Sequence, residues 1–339
     1  MASIGNSALT LADWAKRSDD GKVATIVELL NQSNPILDDM VWKEGNLPTG
    51  HRITLRTGLP TVGFRQLNSG VSTTKSLTAQ VDEQCGILEA ISEVDVDLAK
   101  LNGDVSGFRL SEASAFIESI NQKFAQTLFY GNAGTAPEEF TGLSPRYNSL
   151  SGTNAGNIIN VGSVTGSDAT SIWLVGWGEN TISGIFPKGS QAGIFHEDMG
   201  EQLIQNATGI GTSRMKAYVD RWQWKAGLAV QDWRYAVRIC NIDVSALVAD
   251  TAGATLKLIE YMSRAIDRLP STGGNIKPAF YMNRTAYSIL KIQAMNKSVN
   301  ALSLSAGLNQ FDMSFEGIPV RKVDSILGTS GVASEATVA

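Results

Sequence analysis

Apolar residues recur every three or four positions from Leu110 to Leu128: Leu110, Ala113, Phe116, Ile117, Ile120, Phe124 and Leu128. That spacing lines one face of an α-helix and predicts a helix over 110–130 with a buried stripe. Ser111 and Glu112 suit its first turn and Gly131 its end. Leu256, Ile259, Met262, Ile266 and Leu269 predict a second helix over 254–269, and residues 284–294 a third. Residues 8–31 read as two short helices meeting at the polar turn Ser18-Asp19-Asp20-Gly21, the second ended by Asn34-Pro35. Ile36, Leu37, Met40, Val41 and Trp42 follow as an apolar patch that must pack on the main body or on another subunit.

Elsewhere the period is two. Ile87 to Leu98 sets Ile91, Val94, Val96 and Leu98 against Glu89, Glu93, Asp95 and Asp97, which predicts a strand with one solvated acidic face. Ile172 to Trp177 is apolar throughout and reads as a buried strand. Short strands or turns are expected at 184–187 and 193–196, a long strand pair over 215–243, a strand over 278–282, and a closing turn and strand over 315–323. Residues 131–156 are a loop rich in Gly, Asn, Ser and Pro, and 328–339 read as a loose polar end.

The stretch 46–80 differs from both patterns. Arg52-Ile53-Thr54-Leu55-Arg56-Thr57 alternates, Gly58-Leu59-Pro60 and Asn68-Ser69-Gly70 break the chain, and the return to Val81 is polar. This predicts a long hairpin with too little apolar surface to bury a face of its own. An isolated two-stranded hairpin is marginal in water. It is either an arm reaching another subunit or an ordinary surface hairpin.

Composition narrows the class. The chain has 339 residues, 43% hydrophobic and 18% charged, enough for one large domain or two moderate ones. Thirty-three glycines point to many turns rather than a helical bundle. A net charge of -5 lacks the basic balance of a protein that grips nucleic acid. Cys85 and Cys240 follow no zinc or redox spacing and read as reduced thiols. Met1–Thr10 does not read as a signal peptide, and no apolar run is long enough to span a membrane. A cytoplasmic site of synthesis is expected.

The search for chemistry returns no catalytic, cofactor or metal site. His51 and His196 read as surface or turn residues; His196-Glu197-Asp198 points its side chains to different sides of the backbone. Gly162-Ser163-Val164 and Gly189-Ser190-Gln191 lack the second glycine of a nucleophile elbow. Gly209-Ile210-Gly211-Thr212-Ser213-Arg214 lacks the lysine of a phosphate loop. Five of the seven tryptophans lie between 173 and 233. They fit a β-rich core, with subunit contacts or a stacking platform for sugars or bases as other readings.

The order of elements resembles the coat proteins of tailed bacteriophages, which share the Hong Kong 97 fold, an α+β architecture. Asn34-Pro35-Ile36-Leu37-Asp38-Asp39-Met40 with Trp42 is similar to the arm-to-hairpin passage of short-tailed phage capsid proteins. Trp224-Lys225-Ala226-Gly227-Leu228-Ala229-Val230-Gln231-Asp232, with Tyr235, Arg238 and Asn241-Ile242-Asp243, resembles their long axial strand. Phe315-Glu316-Gly317-Ile318-Pro319-Val320 resembles their returning peripheral strand.

The resemblance implies an N-terminal arm at 1–45, an extended E-loop at 46–85, and a peripheral domain at 86–159 with a spine helix at 109–130. An axial domain at 160–305, a returning peripheral strand at 306–327 and a flexible tail at 328–339 complete it. It implies hexamers and pentamers forming an icosahedral shell around non-specifically packaged double-stranded DNA, with scaffolding, portal and cement proteins as further partners. Shell contacts are expected from Trp14, Trp42, Arg52, Arg56, Arg65 and Lys75, with the arginines facing Glu93, Asp95 and Asp97 of a neighbour. Lys75 is the one lysine of the hairpin, as crosslinking members of the fold would require, but no acceptor is identified. The rival readings are an encapsulin-type compartment and, in another class, a carbohydrate-active enzyme.

Overall fold

The structure, a computed structural model, describes residues 18–19, 22–23, 32, 34–101, 103–162, 168–205, 214–250, 256–296, 302–307, 310–328 and 335–338. Strands β1 (Ser18–Asp19) and β2 (Lys22–Val23) pair antiparallel where the sequence reading joins two helices. The intervening dipeptide Asp20-Gly21 is a strong hairpin signal. The rest of that helical expectation, Trp14 included, lies outside the described residues.

Next come α1 (Ile36–Asp39), β3 (Trp42–Glu44), β4 (Gly50–Gly58) and β5 (Leu77–Asp95). Helix α2 (Val96–Lys100) starts where the Asp95 carboxylate accepts from the Asp97 amide, so the expected strand to Leu98 ends three residues early. Helix α3 (Val105–Tyr130) is capped by Asp104, whose side chain accepts from the Gly107 amide. It therefore begins a turn and a half before the apolar stripe. Phe124 and Leu128 are buried as expected, but Leu110 and Ile117 are exposed. The helix stops at Gly131, where a Cβ would sit 2.5 Å from the Thr127 side chain and 2.6 Å from the Phe140 carbonyl.

The remaining elements are β6 (Ile158–Asn160), β7 (Ala169–Trp177), β8 (Ile182–Phe186), β9 (Ile194–Gln205), β10 (Arg214–Val230) and β11 (Ala236–Asp243). Then follow α4 (Val244–Ala249), α5 (Leu258–Ile266), β12 (Lys277–Met282), α6 (Arg284–Asn296), β13 (Leu302–Gly307), β14 (Gln310–Phe315) and β15 (Ile318–Lys322).

Among the described residues, thirteen strands form one branched sheet of order β13-β14-β15-β12-β7-β8-β10-β5-β4. β11 and β6 branch from β7, β3 from β8, and β9 from β10. The expected strand pair over 215–243 does not form as such. β10 pairs with β5, β8 and β9, whereas β11 pairs with β6 and β7. A 3-10 turn at Trp233–Tyr235, capped by Asp232, carries the chain from one part of the sheet to the other.

β7 is buried along its whole length, because both of its faces are covered. Trp173, Val175 and Trp177 join one core with α3 residues Ile120, Phe124 and Leu128 and with Trp222 and Trp224 of β10. Ile172 and Leu174 join a second core with Leu258 and Met262 of α5 and Leu290 of α6. The tryptophans of β7 and β10 are thus core residues. None of the described helices is long and apolar enough to cross a membrane.

Residues 335–338 depart from the loose end expected at 328–339: Glu335 and Val338 are buried. Cys85 and Cys240 are free thiols, and burial pushes both up to about 11. A thiol ordinarily ionises near 8.5, so the native thiols should react with alkylating reagents at pH 8 about two orders of magnitude more slowly than in the unfolded chain. Because the folded values are raised, their contribution to stability is present below about pH 8.5 and is lost as pH rises toward about 11. Timed alkylation with and without urea tests this; equal rates would refute it.

Candidate assembly surface

β5 changes partner halfway along. Residues 85–95 pair with β10 inside the sheet, whereas 77–84 pair only with β4. Beyond that change-over the chain is a two-stranded hairpin, Gly50↔Gln84 to Gly58↔Leu77, and residues 59–82 are exposed throughout.

The root of the hairpin is bolted down. Glu83, 7% exposed at its side chain, accepts two hydrogen bonds of 2.6 Å from the Arg146 guanidinium. Arg146 also donates to the Thr141 and Gly142 carbonyls of the loop after α3. On β4, Ile53 packs against Ile185 and Ala229. His51 is buried here rather than at the surface, with Gln231 3.4 Å away. Burial, reinforced by Lys43, holds its pKa below the ordinary histidine value. The other histidine, His196, lies half-exposed on β9, stacked on Trp222 and 3.0 Å from Asp220.

The tip is the reverse of the root. Leu59, Val62, Phe64 and Leu67 are at least 80% exposed. Residues 56–76 carry Arg56, Arg65 and Lys75 and no acid. All three cations are exposed and make no ion pair among the described residues. Exposed apolar residues interspersed along the chain with one sign of charge have the composition of a docking surface.

The other expected contact residues fare differently. Arg52 is engaged within its own chain, donating to both oxygens of Asp82 at 2.6 and 2.7 Å across the hairpin. That pairing holds the Asp82 carboxyl below the usual range. Trp42 is partly buried and packs against the core of its own chain: β3 runs beside β8 with Trp42 opposite Gly184, and a Cβ at Gly184 would meet its ring at 2.8 Å. Its ring lies 6.0 Å from Phe124 and 5.8 Å from Trp224. Asp95 is the cap of α2, and Glu93 and Asp97 are exposed. Leu77 to Asp95 at about 3.3 Å per residue spans roughly 60 Å, so the tip cations cannot reach these acids in the same chain. The Glu83–Arg146 anchor has no signature in sequence, since its partners are far apart. The apolar tip residues were readable between Gly58 and Gly70, but in a turn-rich stretch they pass for local packing.

The solved structure of bacteriophage Epsilon15 is similar to this chain with a TM-score of 0.79 and 35% identity, covering 100% of both chains. The fold is therefore the Hong Kong 97 phage-coat fold, and the protein is a capsid shell protein. The profile of the major capsid protein GP7 family matches residues 18–334, and the chain belongs to that family.

Lower similarity extends to the bacteriophage JBD30 capsid, at 11% identity and TM-score 0.48 over 88% of this chain and 93% of that one. It extends also to an encapsulin of Synechococcus elongatus, at 13% and 0.44 over 69% and 97%. No curated protein matches. The family is structural, which sets aside the carbohydrate-active reading, and it is a capsid family rather than an encapsulin one.

Proposed function

We propose that this chain assembles as hexamers and pentamers into an icosahedral shell around packaged double-stranded DNA, with the hairpin at 46–85 as the arm between subunits. Residues 1–45 would be a second arm, 86–159 and 306–327 a peripheral domain, and 160–305 an axial domain. Synthesis and assembly would occur in the host cytoplasm, with scaffolding, portal and cement proteins as further partners.

The observation that carries the reading is the tip: apolar Leu59, Val62, Phe64 and Leu67 beside Arg56, Arg65 and Lys75, with no surface of its own chain to cover them. Glu93 and Asp97 are exposed acids of the kind a neighbour would offer. The chain expressed alone or with its scaffold should form closed particles tens of nanometres wide by negative stain. Arg56→Glu should lower particle yield at least about tenfold at unchanged subunit folding. A wild-type chain that stays monomeric under both conditions sinks the shell geometry; normal particles from the variant sink the role of Arg56.

A further inference from the structure

Arg238 on β11 is 2% exposed at its side chain, and a guanidinium so placed requires an acid. That acid is Glu335, 97 residues later, whose Oε2 receives the Arg238 Nη2 hydrogen bond at 2.9 Å. The Ser171 hydroxyl donates to the same oxygen, and the Tyr130 hydroxyl, at the end of α3, donates to Oε1. Burial and the adjacent Glu335 hold the Tyr130 hydroxyl well above its ordinary pKa, so it remains a donor.

Three residues on, Val338 is buried in the core shared by α3 and β7. Asn241 reads its backbone in both directions: Nδ2 donates to the Val338 carbonyl and Oδ1 accepts from its amide, each at 2.9 Å. Asn241 has a φ of 58°, a left-handed conformation that asparagine tolerates. A carboxylate pocket, an apolar pocket and a backbone reader at fixed spacing are the parts of a peptide-recognition site.

The segment in that site is laid on, not woven in. Glu335–Val338 belong to no strand, and Ala336 and Thr337 between the two anchors are exposed. The Glu335 amide donates to the Ala169 carbonyl, the one bond between main-chain atoms that joins the segment to the body among the described residues. Arg238 also has partners besides the segment: the Tyr147 carbonyl at 2.8 Å, the Ser171 hydroxyl at 3.1 Å and the Trp173 ring at 5.0 Å.

We propose that Arg238, Ser171, Tyr130 and Asn241 form a binding site for an acidic peptide, occupied by the chain's own 335–338 segment as a detachable plug. Plugged, the seat ties the end of α3 to β7 and β11. Unplugged, it offers an anion pocket to a carboxylate-bearing peptide. This inference is independent of the shell geometry.

The test is hydrogen exchange on the full-length unassembled subunit. The Glu335 and Val338 amides should exchange at least about tenfold more slowly than in a free peptide of residues 334–339. Glu335→Gln should remove that protection while β7 and β11 keep theirs. Asn241→Gly, which suits the left-handed backbone and leaves the ion pair in place, should release Val338 alone. The same peptide added at millimolar concentration to the wild-type chain should displace the plug and speed exchange at both amides; a peptide with Gln for Glu335 should not. No protection in the wild type, loss of protection spreading through β7 and β11 with the plug, or no displacement by the acidic peptide would each overturn the proposal.

Discussion

Replacing Leu59, Phe64 and Leu67 together with serine will abolish closed particles and leave the unfolding midpoint of the isolated subunit unchanged. All three side chains stand in water, so the subunit loses no buried contact when they are removed. Each would contribute about 1.5–3 kcal/mol when buried at a subunit contact, so the triple change withdraws roughly 6 kcal/mol of gross burial from every contact. Association entropy and side-chain ordering already offset much of that burial, so little is left to drive closure. Sedimentation velocity and negative stain read the assembly, and urea unfolding reads the subunit. Particles at normal yield would mean that the tip does not dock. A fall in subunit stability would mean that it packs on its own chain.

The second large effect lies at the other end of the same hairpin. Glu83→Ala should cost the unassembled subunit roughly 3 kcal/mol, because it leaves the Arg146 guanidinium partly buried with only carbonyl partners. Replacing both residues with methionine should restore most of that loss, since a buried pair is worth less against an apolar pair than against one orphaned charge. Urea midpoints for the two single variants and the double variant close the cycle. Additive losses in the double variant would show that the two side chains act separately. The hairpin angle should loosen as well, because Glu83 sits where β5 leaves the sheet and begins the arm.

These two predictions draw on different kinds of information. That the 46–80 stretch forms a hairpin without a partner is visible in its alternation and turn residues alone. The rigid attachment of that hairpin is not visible there. Glu83 lies in a run of polar residues, and its partner is 63 positions away. The same holds for Trp42, an apolar residue within the proposed arm at 1–45, which packs against the core only because β3 pairs with β8 and sets its ring against Gly184.

Local periodicity determined α3, the buried strand β7, the short helices α5 and α6 and the unpartnered hairpin. Each of these is set by which residues share a face over one or two turns or over a few pleats. Tertiary structure alone decided which strands neighbour one another. β10 and β11 are five residues apart in the chain, yet they take different partners in the branched sheet. It also decided where isolated charges go. Arg238 with Glu335, and Arg146 with Glu83, carry no local pattern, because burial of a charge is fixed by what packs around it. Within the loose end expected at 328–339, residues 335–338 depart for the same reason: Glu335 looks like any exposed acid until Arg238 lies beneath it.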